Sequence, residues 1–380
     1  MNPSGKRSRG SLSYITDSVG SNHCACQSCM LASRLSRQLL SRVSARRLSG
    51  EAMQLKVGIV GAGAVGTYFG VRLAELGHDV RFLLNPGEAP PKALTVNSWQ
   101  GDFELDAPTY ASSPGELAAA GEALDWVLVG LKSTALDGDG AGQMARLVGP
   151  AVGDGTRVQL LMNGLGAEEL AADAFGASKI HGGLVYGGFG RPAPDAVLHE
   201  GMATELRGGS FVDDPAEIAA AERLWSPAAG GATPPGAIVY APQPCLRLAQ
   251  WSKLAWNIPF NGATVCSNSN VGTLWRSDGG KAAAIGLMRE VIRAANADLA
   301  HAGAEPRLDE EATVDALCAI TDKMAEQDYV PSTTCDFLSG NRMEVEAIFK
   351  EPLRRATKLG VDAPRLHMLA ALLDIINEKQ

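Results

Sequence analysis

The sequence has 380 residues and a net charge of −8, with 46% hydrophobic and 20% charged residues, which is the size of two domains and the composition of a soluble globular protein. No apolar run approaches the roughly 18 residues that a membrane-spanning helix needs. These values exclude an integral membrane protein, a collagen and a wholly disordered chain.

The charges are distributed unevenly along the chain. Residues 1–50 hold eight of the 34 basic residues but one of the 42 acidic residues, so the remainder is strongly acidic. An acidic protein is a poor binder of polyanions, because contacts with phosphates need a basic surface. We therefore expect no nucleic acid and no membrane as a partner.

The first fifty residues have the composition of a targeting peptide, rich in arginine and serine and nearly free of acidic residues. Leu35, Leu39 and Val43 are spaced four apart among arginines, which predicts a basic amphipathic helix. We expect a leader for an organellar matrix, mitochondrial rather than plastid, that is cleaved near residues 47–52. The alternative is a solvated tail or a misassigned start codon, which would leave the protein in the cytoplasm.

Three cysteines of this tail lie beside His23 and could bind zinc, but a second ligand pair at zinc-finger spacing is absent. We therefore predict no metal site. The other four cysteines are scattered singly and are expected to be reduced, as in a protein that is not secreted. The seven cysteines are Cys24, Cys26, Cys29, Cys245, Cys266, Cys318 and Cys335.

A strand–loop–helix–strand pattern follows the tail. Residues 55–60 and 79–84 read as strands and 68–76 as a helix, and between the first strand and the helix lies a G-x-G-x-x-G motif made of Gly61, Ala62, Gly63, Ala64, Val65 and Gly66. This context is the one in which the motif binds a dinucleotide. The alternative is a glycine turn without a ligand.

Each of the three glycines has a physical role in such a site. Gly61 allows a tight turn, Gly63 lets the backbone approach a pyrophosphate, and Gly66 lets the helix pack closely on the strand. The pyrophosphate is expected at the helix N-terminus, where unpaired N–H groups and the helix dipole favour an anion.

The end of the second strand selects between the two nicotinamide cofactors. An acidic residue there binds the ribose hydroxyl of NAD, whereas a basic residue accepts the 2′-phosphate of NADP. The strand ends instead at Asn85, and Arg81 lies within it. The absence of an acid favours NADPH, with NADH as the open alternative.

Two further apolar strands end in polar residues. Lys132 follows the strand at 124–131, and Asn163 follows the strand at 158–162. Ligands bind at the carboxyl edge of an open parallel sheet, so both side chains are candidates for contact with cofactor or substrate. The alternative for each is an ordinary polar residue of a loop.

The chain from 180 to 240 reads as strands and turns that complete the sheet, and the glycine- and proline-rich segment 230–235 approaches a domain boundary. After residue 245 the pattern becomes helical, with apolar positions three and four apart over 246–256, 281–302, 309–326 and 343–359.

The first helix of this half carries Lys253, Asn257 and Asn261 at a spacing of four, so a helix places them on one face. A buried lysine and two amides are costly without a function, and as a site they can protonate a carbonyl oxygen and orient a hydroxyl or carboxylate. Pro259 predicts a kink. The alternative is a polar stripe that faces solvent.

A second candidate group comprises Ser332, which could bind a carboxylate, and Glu344, which could reach the lysine or the cofactor. We place Glu344 in the first turn of a helix, where the dipole favours acidic residues. The alternative is that both are ordinary turn and helix-start residues.

Taken in order, these residues resemble the ketopantoate reductase (2-dehydropantoate 2-reductase) family. The resemblance spans residues 54–375 and rests on the glycine motif, the loops that begin at Lys132 and Asn163, the helix from Lys253 to Asn261, and Ser332 with Glu344. It implies an α/β N-terminal Rossmann-type domain over 54–242, an all-α C-terminal domain of 6-phosphogluconate-dehydrogenase-like architecture over 243–380, and an active site in the cleft between them.

The resemblance also implies an activity and a role for each residue. The activity is the NADPH-dependent reduction of 2-ketopantoate to pantoate, a step toward pantothenate and coenzyme A. The sequence itself does not determine the oligomeric state, and a homodimer is an open alternative to a monomer. Lys253 matches the general acid of the family and Glu344 serves catalysis. Substrate binding is implied for Asn257, Asn261, Ser332 and Asn163, and cofactor binding for Gly61 to Gly66, Asn85, Lys132, Asn163 and Glu344.

Three departures from the family pattern leave the cofactor and the exact keto acid open. Asn85 stands where the family commonly has an arginine, and the segment 332–336 reads Ser-Thr-Thr-Cys-Asp. Val271 stands at a substrate-binding asparagine, with Asn268 and Asn270 nearby. The alternatives are a reductase of another 2-keto acid or ketone, and a catalytically inactive NADP-sensing regulator.

Overall fold

The computed structural model describes residues 54–118, 122–228, 233, 234, 236–305 and 307–380. The expected targeting helix and the cysteine cluster beside His23 lie outside these residues and stay predictions. None of the helices that the structure describes is long and apolar enough to cross a membrane.

One mixed sheet organises the first half of the described chain. Its strands are β1 (Lys56–Val60), β2 (Asp79–Leu83), β3 (Ala93–Ser98), β4 (Phe103–Asp106), β5 (Thr109–Ala111), β6 (Trp126–Val129), β7 (Arg157–Leu160), β8 (Ile180–Ala193), β9 (Ala196–Ser210) and β10 (Val239–Pro242). Their order is β4-β3-β9-β8-β7-β6-β1-β2-β5, and β10 pairs with β9.

The centre of the sheet is parallel and buried. Strands β5, β2, β1, β6, β7 and β8 run in one direction. All four residues of β6 are buried, as are four of the five in β1, because helices cover both faces of a parallel sheet. The strands predicted from these apolar runs are therefore present, with ends within two residues of the prediction.

A long antiparallel hairpin curls over the first helix. Strands β8 and β9 pair from His181 opposite Ser210 to Ala193 opposite Ala196. Strand β3 pairs with the first part of β9 and β10 with its last part. The rings of Tyr68 and Phe189 lie 4.7 Å apart between centroids, and Tyr68 is fully buried. This packing fixes the helix that follows the glycine motif.

The helices on the sheet side are α1 (Ala64–Glu75), α2 (Pro114–Leu117), α3 (Gly140–Leu147), α4 (Ala167–Phe175) and α5 (Pro215–Leu224). The second half of the chain contains α6 (Leu246–Cys266), α7 (Val271–Arg276), α8 (Asp278–His301), α9 (Glu310–Glu326), α10 (Ser332–Leu338), a π-helix (Glu346–Lys350), α11 (Glu351–Lys358) and α12 (Pro364–Asn377). The predicted fold class, a Rossmann-type α/β half followed by an all-α half, is confirmed.

Helix α6 is the centre of the helical core. Trp251, Ile258 and Phe260 are fully buried against α8 and the C-terminal helices. The indole N–H of Trp251 donates to Asp298 Oδ2 at 2.8 Å, so the one polar atom of this ring is satisfied. The helix continues through Pro259, and its apolar face holds the polar residues before and after the proline in fixed positions.

An ion-pair network ties the two halves together. Arg355 donates to Glu169 Oε1 of α4 at 2.7 Å and lies 3.4 Å from Asp298 Oδ2 of α8. Because the arginine is mostly buried and both partners are acidic, the contact holds α4 of the sheet side against the helical core. The cleft beside it is thereby built from both halves.

Candidate active site

The glycine motif forms a tight turn between β1 and α1. Gly61 has a φ of +86°, and a Cβ on it would lie 2.6 Å from Leu131 N. A Cβ on Gly66 would lie 2.1 Å from Gly61 O. Neither position accepts a side chain, so the turn needs glycine at both.

Gly63 differs from these two glycines because it faces open space. No heavy atom lies within 4 Å of the position that its Cβ would take. It is the N-cap of α1, and no side chain caps the helix there. The first N–H groups of the 12-residue helix α1 thus have no capping side chain, and Gly63 beside them has no side chain. This arrangement leaves room for a pyrophosphate at the helix N-terminus. Residues 61–66 thus form the predicted turn between strand and helix, and their binding of a cofactor stays a prediction.

Asn85 follows β2 and lies against the glycine turn, with Nδ2 3.5 Å from Ala62 O. Arg81 is directed elsewhere, since its guanidinium contacts Asp79 at 3.0 Å and Glu122 at 3.3 Å. Both contacts direct the Arg81 side chain toward these acids. Asn85 is thus the predicted cofactor residue of this strand end that lies against the glycine turn.

Lys253 lies in the cleft between the halves, on the second turn of α6. Its ammonium donates to Asn163 Oδ1 and to Val185 O, each at 2.8 Å, and lies 5.3 Å from the centroid of the Tyr186 ring. The register of β8 shifts just after Tyr186, and such a bulge re-aims the backbone and side chains. The strand thereby presents a carbonyl and an aromatic face to the lysine.

Asn163 links Lys253 to a buried carboxylate. Its Oδ1 accepts from the lysine, and its Nδ2 donates to Glu344 Oε2 at 3.3 Å. Glu344 is 6% exposed, and its Oε1 accepts from both N and Oγ of Ser133, at 2.8 and 3.0 Å. The two partners settle the orientation of the amide, because only the oxygen can face an ammonium.

Burial lowers the pKa of Lys253 to about 8, and the negative charge of Glu344 opposes part of this change. A lysine with a pKa lowered in this way gives up its proton more readily than a lysine in water. The site thus combines the buried Lys253, the Asn163 amide held by two hydrogen bonds, and the buried carboxylate of Glu344.

Glu344 lies at the predicted start of the helix, because its carbonyl accepts the first helical hydrogen bond, from Ile348 N at 3.2 Å. It is the last residue before the helical ones, and the helix continues as a π-helix from Glu346. The carbonyl of Ala347 in the π-helix accepts from Leu165 N at 3.0 Å. This contact anchors the loop of Asn163 to the helix, and π-helical turns are frequent at functional sites.

The predicted substrate residues occupy one end of this cleft. Asn257 lies one turn after Lys253, and its side chain makes no hydrogen bond with the described residues. Asn261 is 2% exposed, and its Oδ1 accepts from Thr333 N at 3.0 Å, which caps the start of α10. Ser332 is exposed at that helix start, with Oγ 3.5 Å from Asn261 Oδ1. Asn257 and Ser332 thus remain open to a ligand, while one atom of Asn261 holds α10.

Lys132 and Asp336 form an ion pair across the cleft. Lys132 follows β6 and its Nζ donates to Asp336 Oδ1, while half of its side chain is exposed. Five residues further on, Asp137 lies 3.1 Å from Arg342 in a second cross-cleft pair. The sequence pointed to Lys132 from its place at the strand end but gave no sign of either partner.

Several contributors carry weak sequence signals. Ser133 and Gly164 each follow a predicted site residue, so the ends of β6 and β7 could have indicated them. Val185 and Tyr186 lie within a glycine-rich strand, and nothing in that pattern shows the bulge. Asn270, near the asparagine position that Val271 fills, accepts from Thr273 N at 2.8 Å and caps α7.

The described residues contain no cluster of acidic, histidine or cysteine side chains arranged to bind a metal ion.

Comparison with known proteins identifies the family of this arrangement. Residues 57–211 match the family described as "Ketopantoate reductase PanE/ApbA", and residues 246–377 match "Ketopantoate reductase PanE/ApbA C terminal". A relative from Nostoc sp., named 2-dehydropantoate 2-reductase, is 28% identical over 318 residues, which cover 83% of this chain and 92% of the relative.

Solved structures agree with these matches. The 2-dehydropantoate 2-reductase of Geobacter metallireducens is 34% identical with a TM-score of 0.73, over 84% of this chain and 99% of that one. D-mandelate dehydrogenase, solved as a ternary structure with NADH and anilino(oxo)acetate, shares the fold at 18% identity with a TM-score of 0.69, over 86% and 99% of the two chains. The chain belongs to the ketopantoate reductase family.

Proposed function

We propose that this protein reduces 2-ketopantoate to pantoate with NADPH, as an oxidoreductase that acts on CH–OH groups, in the synthesis of pantothenate and coenzyme A. Family membership supports the reaction class, and the relatives named 2-dehydropantoate 2-reductase support the substrate. The observation that carries the proposal is the chain from Lys253 through Asn163 to Glu344, at the strand edge that also holds the glycine turn.

The cofactor is a nicotinamide dinucleotide. Residues 61–66 would hold its pyrophosphate at the start of α1, and Asn85 lies where its adenosine ribose is expected. Lys132 lies at the neighbouring strand end, where its ammonium can contact the cofactor after leaving Asp336. A bound reduced nicotinamide supplies the hydride that adds to the keto carbon.

Lys253 would donate the proton that completes the reduction. A lysine ammonium has three N–H donors, and two of them are held by Asn163 and Val185. The third is available to the carbonyl oxygen of a keto acid in the cleft. Negative charge grows on that oxygen as the hydride arrives, so the ammonium contact strengthens in the transition state and then transfers its proton.

The open polar groups beside the lysine match the rest of the substrate. Ketopantoate carries a carboxylate and a hydroxyl, and the amide of Asn257 and the hydroxyl of Ser332 can each bond one of these groups. Asn261 positions Ser332 by capping α10. A regulator that only senses a nucleotide needs neither a poised lysine nor these groups, which favours the enzyme over that alternative.

The first test is the pH dependence of kcat/KM with 2-ketopantoate and NADPH. The acid must be protonated, and the pKa of Lys253 is lowered to about 8. The rate is therefore expected to hold below pH 8 and to fall about tenfold per pH unit above it. A rate that stays flat to pH 10 would contradict proton donation by Lys253.

Glu344→Gln is expected to move this fall in rate to lower pH. The charge of Glu344 raises the pKa of Lys253, so its removal lets burial depress that pKa further. Glu346→Gln is the matched control, because Glu346 lies two residues away but forms its ion pairs with Lys350 and Arg354 near the surface. The pH profile of the control should match that of the unmodified protein. An unchanged profile for Glu344→Gln would contradict an effect of this carboxylate on the pKa of Lys253.

We also propose that the leader directs the protein to the mitochondrial matrix and that the working form is a homodimer. The arginine-rich composition of residues 1–50 supports the first, and a fusion of these residues to a fluorescent protein tests it. A relative described as a dimeric ketopantoate reductase, from Staphylococcus aureus, prompts the second. Light scattering on the full chain would give the mass of one or two copies.

A further inference from the structure

We propose that Arg191 supplies the cation that recognises the 2′-phosphate of NADPH, and that Glu88 holds and weakens it. The inference rests on the proposed nicotinamide cofactor and deepens it. It places the selecting charge on the β8–β9 hairpin, although the strand tip itself carries Asn85.

A tight turn connects the strand tip to this pair. Glu88 N donates to Asn85 O at 3.0 Å, and Gly87 between them has a φ of +82°. With Pro86 at the second position these values are typical of a type II turn. Asn85 also lies against Ala62 of the glycine motif, so the turn sits directly beside the expected pyrophosphate.

Arg191 meets the turn from the far end of the hairpin. Its two terminal nitrogens donate to the two oxygens of Glu88 at 2.8 and 2.9 Å, and one of them also donates to Pro194 O at 2.9 Å. The register of the hairpin shifts between Gly190 and Ala193, and Arg191 lies within this irregular stretch. The side chain is 17% exposed, so it is held in place and still reachable.

One donor of the arginine is unpaired, but a phosphate must draw the terminal nitrogens away from Glu88 to bind to them. Its Nε is buried and has no partner among the described residues. A guanidinium binds phosphate through paired N–H groups, which suits a 2′-phosphate at this end of the site.

Glu88 brings to the turn an acid that the strand tip itself lacks, and this acid makes the preference for a 2′-phosphate moderate. Its pKa is lowered by the hydrogen bonds of Arg191, so it stays ionised and a phosphate must share the arginine with it. Its charge also repels the incoming phosphate. Removal of this carboxylate should therefore strengthen binding of a 2′-phosphate, whereas removal of the arginine should weaken it.

The test measures binding of two adenosine fragments to the full chain by calorimetry. Adenosine 2′,5′-bisphosphate carries the 2′-phosphate and adenosine 5′-monophosphate lacks it. We expect the unmodified protein to bind the bisphosphate roughly tenfold tighter, Arg191→Gln to lose that preference, and Glu88→Gln to increase it several-fold. Arg191→Lys should keep part of the preference, because it retains the charge without the paired N–H groups.

Arg157→Gln is the matched control. Arg157 forms a similar two-bond pair with Glu217, at 2.6 and 3.0 Å, away from the glycine motif. The control should keep the preference, and thermal unfolding of each variant confirms that it is folded. Equal binding of both fragments by the unmodified protein, or an unchanged preference in folded Arg191→Gln, would overturn the proposal. The fragments contain no nicotinamide, so the result does not depend on whether ketopantoate is reduced.

Discussion

Lys253→Ala is expected to lower kcat by about two orders of magnitude or more, while KM for the keto acid changes little. The ammonium acts mainly on charge that develops during the reaction, so its loss raises the barrier more than it weakens ground-state binding. General acids typically contribute 10²- to 10⁴-fold to the rate. Steady-state oxidation of NADPH with 2-ketopantoate gives both constants.

The control is Lys281→Ala. Lys281 is exposed on α8 and its Nζ lies 4.5 Å from the centroid of the Trp275 ring, outside the cleft. Its kinetics should match those of the unmodified protein. A normal kcat for Lys253→Ala would show that this lysine does not donate the proton, although it lies in the cleft.

Gly164→Ala is expected to damage both stability and turnover. Gly164 has a φ of +90°, and a Cβ on it would lie 2.4 Å from Ala347 O of the π-helix. The new methyl group must push the loop away from the helix, and the displaced residue beside it is Asn163. We expect a loss of about 2–5 kcal/mol in the free energy of unfolding, measured in urea, together with a reduced kcat.

Gly303→Ala separates the backbone effect from the clash. Gly303 has a φ of +72°, is exposed, and has no heavy atom within 4 Å of its Cβ position. Its replacement should cost about 1–2 kcal/mol and leave kcat unchanged. If the two variants lost the same stability, the contact of Gly164 with the π-helix would have no energetic weight.

The parts of this molecule that local patterns determine were predictable from the sequence. The glycine motif between two apolar runs predicted the first β-α-β unit, because its tight turn and close packing require glycine, and glycines can be read from the sequence. Lys253 and Asn257 were predictable from a spacing of four on one helix. Lys132 and Asn163 were predictable because polar side chains after parallel strands meet at one edge.

The remaining features depend on contacts between distant segments, which single-sequence patterns do not encode. The Ser133–Glu344 contact joins residues 211 positions apart. The π-helix after Glu344 follows an ordinary helical pattern and differs only through packing against the loop of Gly164. Strands β3 and β4 were not predicted, because short strands in which buried and more exposed residues alternate lack a continuous apolar run.

The Arg191–Glu88 pair shows the same limit for cofactor choice. The sequence showed an asparagine at the strand tip and left the cofactor open. An arginine more than a hundred residues away reaches that tip through a curled hairpin, and the curl follows from aromatic packing over α1. The pairing of Arg191 with Glu88 beside the strand tip was therefore visible only in three dimensions.

The central claim is tested most directly by the absorbance of the reduced nicotinamide with the full chain and 2-ketopantoate, run with NADPH and NADH side by side. The account predicts rapid oxidation of NADPH and slower oxidation of NADH, with pantoate as the product. No oxidation of either cofactor, by protein that binds adenosine 2′,5′-bisphosphate and is folded, would contradict the assignment of ketopantoate as the substrate.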